Sequence, residues 1–533
     1  MPFTQLLPWI LLVLLLVEQM IFLPKLFKQA NLPSWHGYVP GLNFWTWLKV
    51  IGRPWYWILI LIIPGVNLII LVIMQVELGI CFDRKSTVEQ WKIGVLPWVF
   101  LPQLSMGDNR FVGRRDWSKK KKSVFRDWSE SIIWAVVVAT IVRCFFFEAF
   151  TIPTASMEGS MLVGDYLYVS KTAYGPKVPQ TPVSVPLIHN VLPGGMTPSY
   201  LEWFSLPFLR LPGTGEVNRY DAVVFNFPHG DTIVVDPNLS GHDYYGILRR
   251  EGIASASGNI KNYAADTERY NAEARSRLSK RYGIKGRPLD KTESYVKRCV
   301  GLPGETISVE NGVLQIDGTA IEPPTGLQYE YTVTFKTQLD ARRAMSGLEL
   351  TNVDLGPAKM VGDAVQVVMA LTASEAAILE DGNLAKSIER IDVSSRRGSL
   401  EMFPNVSSDE FDQWDPDNLG PIMLPHAGMT VDLTPRNLAL YRRAIQTYEG
   451  HQLEEKSGMV YIDGNEAKTY TFGLDYYWMM GDNRHRSADS RMWGFVPHTH
   501  VVGRASFVWF SKQNEAQHGE SKIRWNRMFR SVQ

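Results

Sequence analysis

Apolar positions crowd into the N-terminal part of the chain, up to Phe150, and then thin into short alternating runs. Four apolar stretches stand out, at 6–23, 54–80, 91–104 and 130–150. A membrane span needs about 20 mostly apolar residues. The first, second and fourth meet that length, and the third is short enough to be re-entrant. The first carries Glu18 and Gln19, unusual inside a span, and the second has Pro64 and Gly65 at its middle. Proline removes a helical donor and clashes with the preceding turn, so 54–80 reads as a kinked span or as a helical hairpin. The first stretch is not a cleavable leader: no basic segment precedes it, and bulky residues stand where small ones should precede a cut. The loop 105–129 carries Arg110, Arg114, Arg115, Lys119 to Lys122 and Arg126. Positive charge beside spans marks the cytoplasmic face, which places everything after Phe150 on the opposite side.

Beyond residue 151 the pattern changes to β-rich runs broken by Gly and Pro, at 165–175, 220–228, 230–236, 305–318 and 501–510. Period-2 alternation over such lengths predicts strands, and "ENGVLQIDGTAI" predicts a hairpin with a glycine turn. "VLQIDG" and "MVYIDG" read as two hairpin strands. Two segments interrupt the β texture. Residues 238–292 contain a polar helix closed by Gly283. Residues 325–455 mix strand-like and helical pieces, one helix opening on Thr372 with Glu375 three residues on, the spacing of a capping box. The predicted architecture is mainly β, an antiparallel sheet or barrel-like catalytic domain with an inserted α+β subdomain and an N-terminal helical transmembrane region. Its parts are a hydrophobic region over 1–129 with two to three membrane segments, an anchor over 130–150, a β-rich domain over 151–324 and 456–511, the insert over 325–455, and a basic tail over 512–533. That tail suits the sheet and a membrane surface equally.

Charge narrows the partners. Lys+Arg total 55 against 54 for Asp+Glu, which gives no case for nucleic acid; the basic loop reads as solvated or resting on anionic head groups. Cys81, Cys144 and Cys299 are far apart, without a disulfide framework or a zinc spacing. An export compartment is still open to the chain, because a large domain folds without disulfides.

The candidate chemistry begins at "FEAFTIPTASMEGSML", 147–162, directly after the fourth apolar stretch. A serine such as Ser156 is ordinarily a turn or cap residue, and becomes a nucleophile only when a base takes its proton. The histidines, His229, His242, His485, His498 and His500 among them, lack the HExxH spacing of a zinc protease and read as exposed loop residues. Lys297, in "SYVKRCVGLPGE", sits in a strand-like run. A surface edge is the common fate of lysine, but alternation puts Lys297 on the face of Tyr295 and Cys299, which permits burial. A buried lysine loses its charge near neutral pH and can act as a base. "MMGDNRHRSADSRMWGFVP", 479–497, packs short polar groups between apolar flanks. It reads as an Asx-turn loop or as a scaffold that orients an amine or a hydroxyl.

Together these pieces resemble the type I signal peptidases, the membrane-bound Ser/Lys proteases, in their enlarged Bacteroidetes-like form. "FTIPTASMEGSML", "NRYDAVVFNFP", "YVKRCVGLPGE" and "GDNRHRSADSRMWGFVP" resemble that family's four boxes in order; "LTPRNLALYRRAIQTYEG" and the ending "IRWNRMFR" resemble the enlarged members. The resemblance implies Ser156 as nucleophile and Lys297 as general base. Ser487 would orient the amine, Thr154 would join the Ser156 N–H in the oxyanion hole, and Asp489 and Arg491 would support the loop. Phe150, Ile152, Met161, Tyr295 and Val296 would line pockets for small side chains. It implies removal of signal peptides after A-x-A-type residues through an acyl-enzyme, with no cofactor or metal. The partners would be secretory precursors, the lipid bilayer of the bacterial inner membrane and the nearby secretion translocon, with no nucleic acid. One departure stands beside the nucleophile: Gly159-Ser160-Met161 replaces the usual Pro-Thr-Leu, which predicts a loosened turn and a thioether at the pocket. Two other readings compete. A non-catalytic precursor-binding homologue would lack Ser156 or Lys297, and both are present. A channel or transporter would carry inward-facing polar residues in several spans, and few are found.

Overall fold

The structure is a computed structural model. It describes residues 17, 19–107, 109–114, 124–193, 197–201, 205–228, 232–236, 239, 242–348, 350, 354–382, 385–397, 400–456, 458–513 and 522–532. Residues 6–16 and Glu18 of the first apolar stretch, Arg115 and Lys119 to Lys122 of the basic loop, His229, and 514–521 of the tail lie outside the described residues. The chain divides into two compact units, 1–145 with 178–209, and 146–177 with 210–533. Residues 178–209, which the sequence pattern put in the β-rich domain, pack with the N-terminal unit; Asn67 Nδ2 donates to the Pro182 carbonyl at 2.6 Å.

The N-terminal unit is helical. Leu42–Ile51, Val66–Cys81 and Val124–Phe145 share a core of Leu23, Phe27, Trp47, Ile70, Met74, Leu78 and Val137. The 54–80 stretch is broken where Pro64 and Gly65 stand, and the helix restarts at Val66 after Gly65 at φ 74°. Its 16 residues reach about 24 Å at 1.5 Å per residue, short of a hydrocarbon core of about 30 Å. The 91–104 stretch is split between Thr87–Val95 and Pro97–Met106. Among the described residues one helix is long and apolar enough to cross a membrane, Asp127–Phe145, 19 residues long.

The second unit is built on one antiparallel sheet. Its strands are β1 (Phe147–Thr151), β2 (Asp165–Ser170), β3 (Ala222–Asn226), β4 (Ser294–Gly301), β5 (Tyr476–Met480), β6 (Val496–Pro497), β7 (Val501–Ser511) and β8 (Arg530–Ser531). The spatial order is β1-β2-β7-β3-β4-β5-β6, with β8 on β7. Successive side chains alternate faces, and both faces are covered. Val223 and Phe225 pack with Cys299, Met479 and Trp493; Ala222 and Val224 pack with Ile152, Leu167 and Val508. That is why β3 reads as a continuous apolar run. The described end of the tail, 522–532, lies on the sheet: β8 pairs with β7, and the buried Arg527 reaches Asp165 at 2.6 Å.

The turn chemistry follows the sequence closely. Asn311-Gly312, Asp317-Gly318 and Asp463-Gly464 all have positive φ at both residues, the geometry of type I′ hairpins. Thr372 and Glu375 form a complete capping box. A four-stranded sheet over 328–390, in the order 355–361, 364–372, 328–335, 387–390, carries the helices Gln338–Gly347 and Ala373–Asp381 around Val333, Phe335, Met369 and Leu379. Residues 400–455 do not continue this layer: Leu419–Met423 pairs with Thr306–Glu310, and Leu438 and Tyr441 join a core with Trp478 and Phe495.

Candidate active site

Ser156 sits in a one-turn helix, Ala155–Met157, entered from β1 through Thr154 in extended conformation. Lys297 is central in β4, paired with Val223. The two side chains meet: Lys297 Nζ donates to Ser156 Oγ at 2.6 Å, and both groups are buried. The amine also donates to the Val296 carbonyl at 3.1 Å and stands 5.8 Å from the Tyr295 ring centroid. Thr154 Oγ1 is 3.5 Å from Ser156 Oγ. Burial lowers the Lys297 pKa to about 8, although Asp489 and Asp482 pull it back up. An ammonium in low dielectric loses hydration that neither carboxylate, each tied to its own arginine, fully replaces.

The loop 481–491 is a largely buried polar frame, from which Arg486 is partly and Ala488 well exposed. Asp489 holds Arg491 at 2.8 Å and accepts the Gly481 N–H at 3.0 Å. Burial works against a charged Asp489, but Arg491 outweighs it and holds the carboxyl below its ordinary range. Arg491 also donates to the Arg484 carbonyl at 2.6 Å and to the Pro416 carbonyl at 3.1 Å. The frame touches the nucleophile turn, where Asn483 N donates to the Ser156 carbonyl at 3.2 Å. Gly481 makes that approach possible, since a Cβ there would overlap the Ser156 carbonyl and Ser487 Oγ. Ser487, given the amine by resemblance, makes no hydrogen bond to Lys297; its hydroxyl is buried without a partner of good geometry, though it lies close enough to Asp489 to favour that carboxylate.

A cavity of about 340 Å3 opens on the pair, lined by Phe150, Ile152, Thr154, Ser156, Tyr295, Val296 and Lys297, with Arg486 and Ala488 also in its wall. Met161 was expected there and is instead fully buried with Ile152, Met157 and Leu167. It closes the turn begun at Met157, whose carbonyl accepts its N–H at 2.8 Å, so its side chain is carried into the core. Gly159 has φ +92° and faces the Gly326 carbonyl where a Cβ would stand, a conformation closed to proline. Ser160 Oγ accepts from Arg298 at 3.0 Å. Sequence reasoning missed Arg298, which grips Asp482 through two bonds at 2.8 and 2.6 Å. A second charged residue directly after Lys297, in a strand that runs on into Cys299 and Val300, was the available signal. It also missed Glu330, whose Oε1 accepts from Arg486 Nε at 2.7 Å.

A serine hydroxyl in contact with a buried amine, at a cavity in an antiparallel sheet, is the arrangement of a serine-type hydrolase. The family described as "Signal peptidase, peptidase S26" matches residues 125–366 and 437–510, more than half of the chain, and the chain belongs to it. Residues 35–114 match a family of unknown function. Signal peptidase I of Haemophilus influenzae is 23% identical over 409 residues, covering 76% of this chain and 75% of that protein. Signal peptidase I of Helicobacter pylori strain J99 is 32% identical over 94 residues, 16% of this chain and 32% of that protein. Signal peptidase I of Buchnera aphidicola from Acyrthosiphon pisum is 48% identical over 52 residues, 10% of this chain and 17% of that protein. The protein is a serine-type signal peptidase, and its substrates are precursors that bear signal peptides.

Proposed function

We propose that Ser156 and Lys297 form the catalytic dyad and that the enzyme cuts precursors after small residues. The observation that carries the reading is the 2.6 Å contact between two buried groups, with burial holding the lysine near pKa 8. Neutral Lys297 takes the Ser156 proton as Oγ bonds to the scissile carbonyl carbon. Thr154 Oγ1 and the Ser156 N–H receive the negative oxygen. Collapse breaks the C–N bond, and the Lys297 ammonium returns its proton to the leaving amine. Water then gives a proton to Lys297 and attacks the ester, and Ser156 recovers that proton as the ester bond breaks. Asp489 and Arg491 hold the loop beneath the pair, with Ser487 packed between them and Gly481. The shallow apolar wall of Phe150, Ile152, Tyr295 and Val296 suits small side chains.

Membrane anchoring belongs to the same proposal. Val124–Phe145 serves as an anchor in a multi-pass N-terminal region, with the β-rich part extracytoplasmic, beside lipid and the secretion translocon. Ser156 follows Phe145 by eleven residues. Confining enzyme and precursor to one plane raises their effective concentration. The test is cleavage of a purified precursor by the wild type, Ser156→Ala and Lys297→Ala in detergent. Both variants are expected to lose cleavage by several orders of magnitude. A Lys297→Ala enzyme with near-full activity would remove the dyad.

A further inference from the structure

We propose that His485 is a positioning residue: through it the inserted sheet holds the 481–491 loop against the turn that carries Ser156. The inference rests on the proposed Ser156–Lys297 dyad. Read from the sequence as an exposed loop residue, His485 has a side chain only 1% exposed. Its two ring nitrogens are held from different directions. Nδ1 accepts the Glu330 N–H at 3.3 Å, and Glu330 lies on the strand Gln328–Phe335 at the start of the insert. A nitrogen that accepts carries no hydrogen, so the neutral ring has its proton on Nε2, which donates to Asp417 at 3.1 Å. The Tyr329 ring packs edge-on against the imidazole, with centroids 5.2 Å apart. Arg390, on the inserted strand Ser387–Arg390, lies 3.7 Å over that ring and bonds to Asp417. The imidazole also completes a sheet edge. The N–H and C=O of a strand residue point the same way. Ile391 N takes the Glu330 carbonyl at 2.9 Å, and His485 takes the N–H that would otherwise be an orphan donor.

The run from Asp482 to His485 joins this lock to the dyad. Gln328 N donates to the Asp482 carbonyl at 2.9 Å, and Gln328 and Asn483 form a parallel bridge. Asn483 N in turn donates to the Ser156 carbonyl at 3.2 Å, while the Asp482 carboxylate is gripped by Arg298, the residue after Lys297. A single bridge is a weak attachment for a loop that must fix a nucleophile, and His485 adds a side-chain lock two residues beyond it. His485 is not among the residues that line the cavity, so it acts on the dyad and not on the substrate. A shift of about 1 Å at a catalytic group can cost about 10²-fold in rate.

The experiment measures kcat and KM of the full chain in detergent on one signal-peptide-bearing precursor, per folded enzyme. His485→Phe fills the volume of the ring and keeps the edge against Tyr329 but has no acceptor for the Glu330 N–H. His485→Asn leaves space and restores that acceptor, since its Oδ1 stands near the place of Nδ1. Against the wild type, kcat is expected to fall about 10–100-fold in His485→Phe and about threefold in His485→Asn, with KM within about twofold in both. A residue that only fills space gives the reverse order, with Phe the more active, and that result overturns the proposal. So does a His485→Phe enzyme with wild-type kcat. The wild type supplies a second measurement should the variants fail to fold. Its Glu330 and Asn483 amides are expected to exchange with deuterium together, at the slow rate of the strand Ser294–Gly301. Either amide exchanging as fast as an exposed loop overturns the proposal. Failure of the dyad reading would show separately, as cleavage by Ser156→Ala.

Discussion

Replacing Lys297 by Met is expected to abolish cleavage and to stabilise the fold, and the two effects have one cause. Methionine keeps an unbranched apolar stem of similar length and removes the buried amine. Burial takes the lysine from its ordinary 10.5 to about 8. That difference corresponds to about 3 kcal/mol, at roughly 1.4 kcal/mol per pKa unit. The sign follows from proton binding: the folded value lies below the unfolded one, so between pH 8 and 10.5 the unfolded chain holds the extra proton and stability rises with pH. The destabilisation is complete below about pH 8 and gone above 10.5. The variant also loses the hydrogen bond to Ser156, worth about 1 kcal/mol. Lys297→Met should therefore be about 2 kcal/mol more stable than the wild type at pH 7 and slightly less stable at pH 10.5. Denaturant unfolding of the full chain in detergent, followed by tryptophan fluorescence from pH 6 to 10.5, measures the gap. A gap that stays constant across this range refutes the reasoning, because it assigns the whole difference to packing.

Three further outcomes follow from the same geometry. Thr154→Val should lower kcat by about 10²–10³-fold with little change in KM, the usual effect of removing one oxyanion donor, read by steady-state kinetics on a precursor. Arg298→Ala leaves Asp482 charged in a fully buried site and should cost about 3–5 kcal/mol, read by denaturant midpoint; replacing Asp482 by Asn in addition should recover part of it. Gly159→Ala places a Cβ at φ +92° against the Gly326 carbonyl and should cost about 2 kcal/mol or more, with thermal unfolding as the readout.

Local chemistry was legible in the chain and long-range chemistry was not. The Asn311-Gly312 turn, the Thr372 cap and the glycine stop at Gly283 depend on a few adjacent residues and stand in the structure as read. Ser156, Lys297 and the 481–491 loop were legible because each sits in a distinctive local string. Their meeting was implied only by the resemblance and not by any local pattern, since it requires β4 to lie two strands from β7 and β7 to enter between β2 and β3. Arg298 and Asp482 are 184 residues apart, and Glu330 and Arg486 are 156 apart; no periodicity reports such pairs. Met161 misled because proximity in sequence to Ser156 was read as proximity to the cavity, whereas the turn from Met157 carries it into the core. The helix break at Pro64 and Gly65 was visible, but the packing of 178–209 with the N-terminal unit was not, as that stretch carries neither strand nor helix period.

The pH dependence of kcat/KM on a signal-peptide-bearing precursor tests the Ser156–Lys297 dyad most directly. The activity of the full-length enzyme should rise tenfold per pH unit below a pKa near 8 and level off above it, because only the neutral amine can accept the Ser156 proton. A limb at the ordinary lysine value of about 10.4, or activity that does not change between pH 6 and 9, would contradict a buried Lys297 acting as the base.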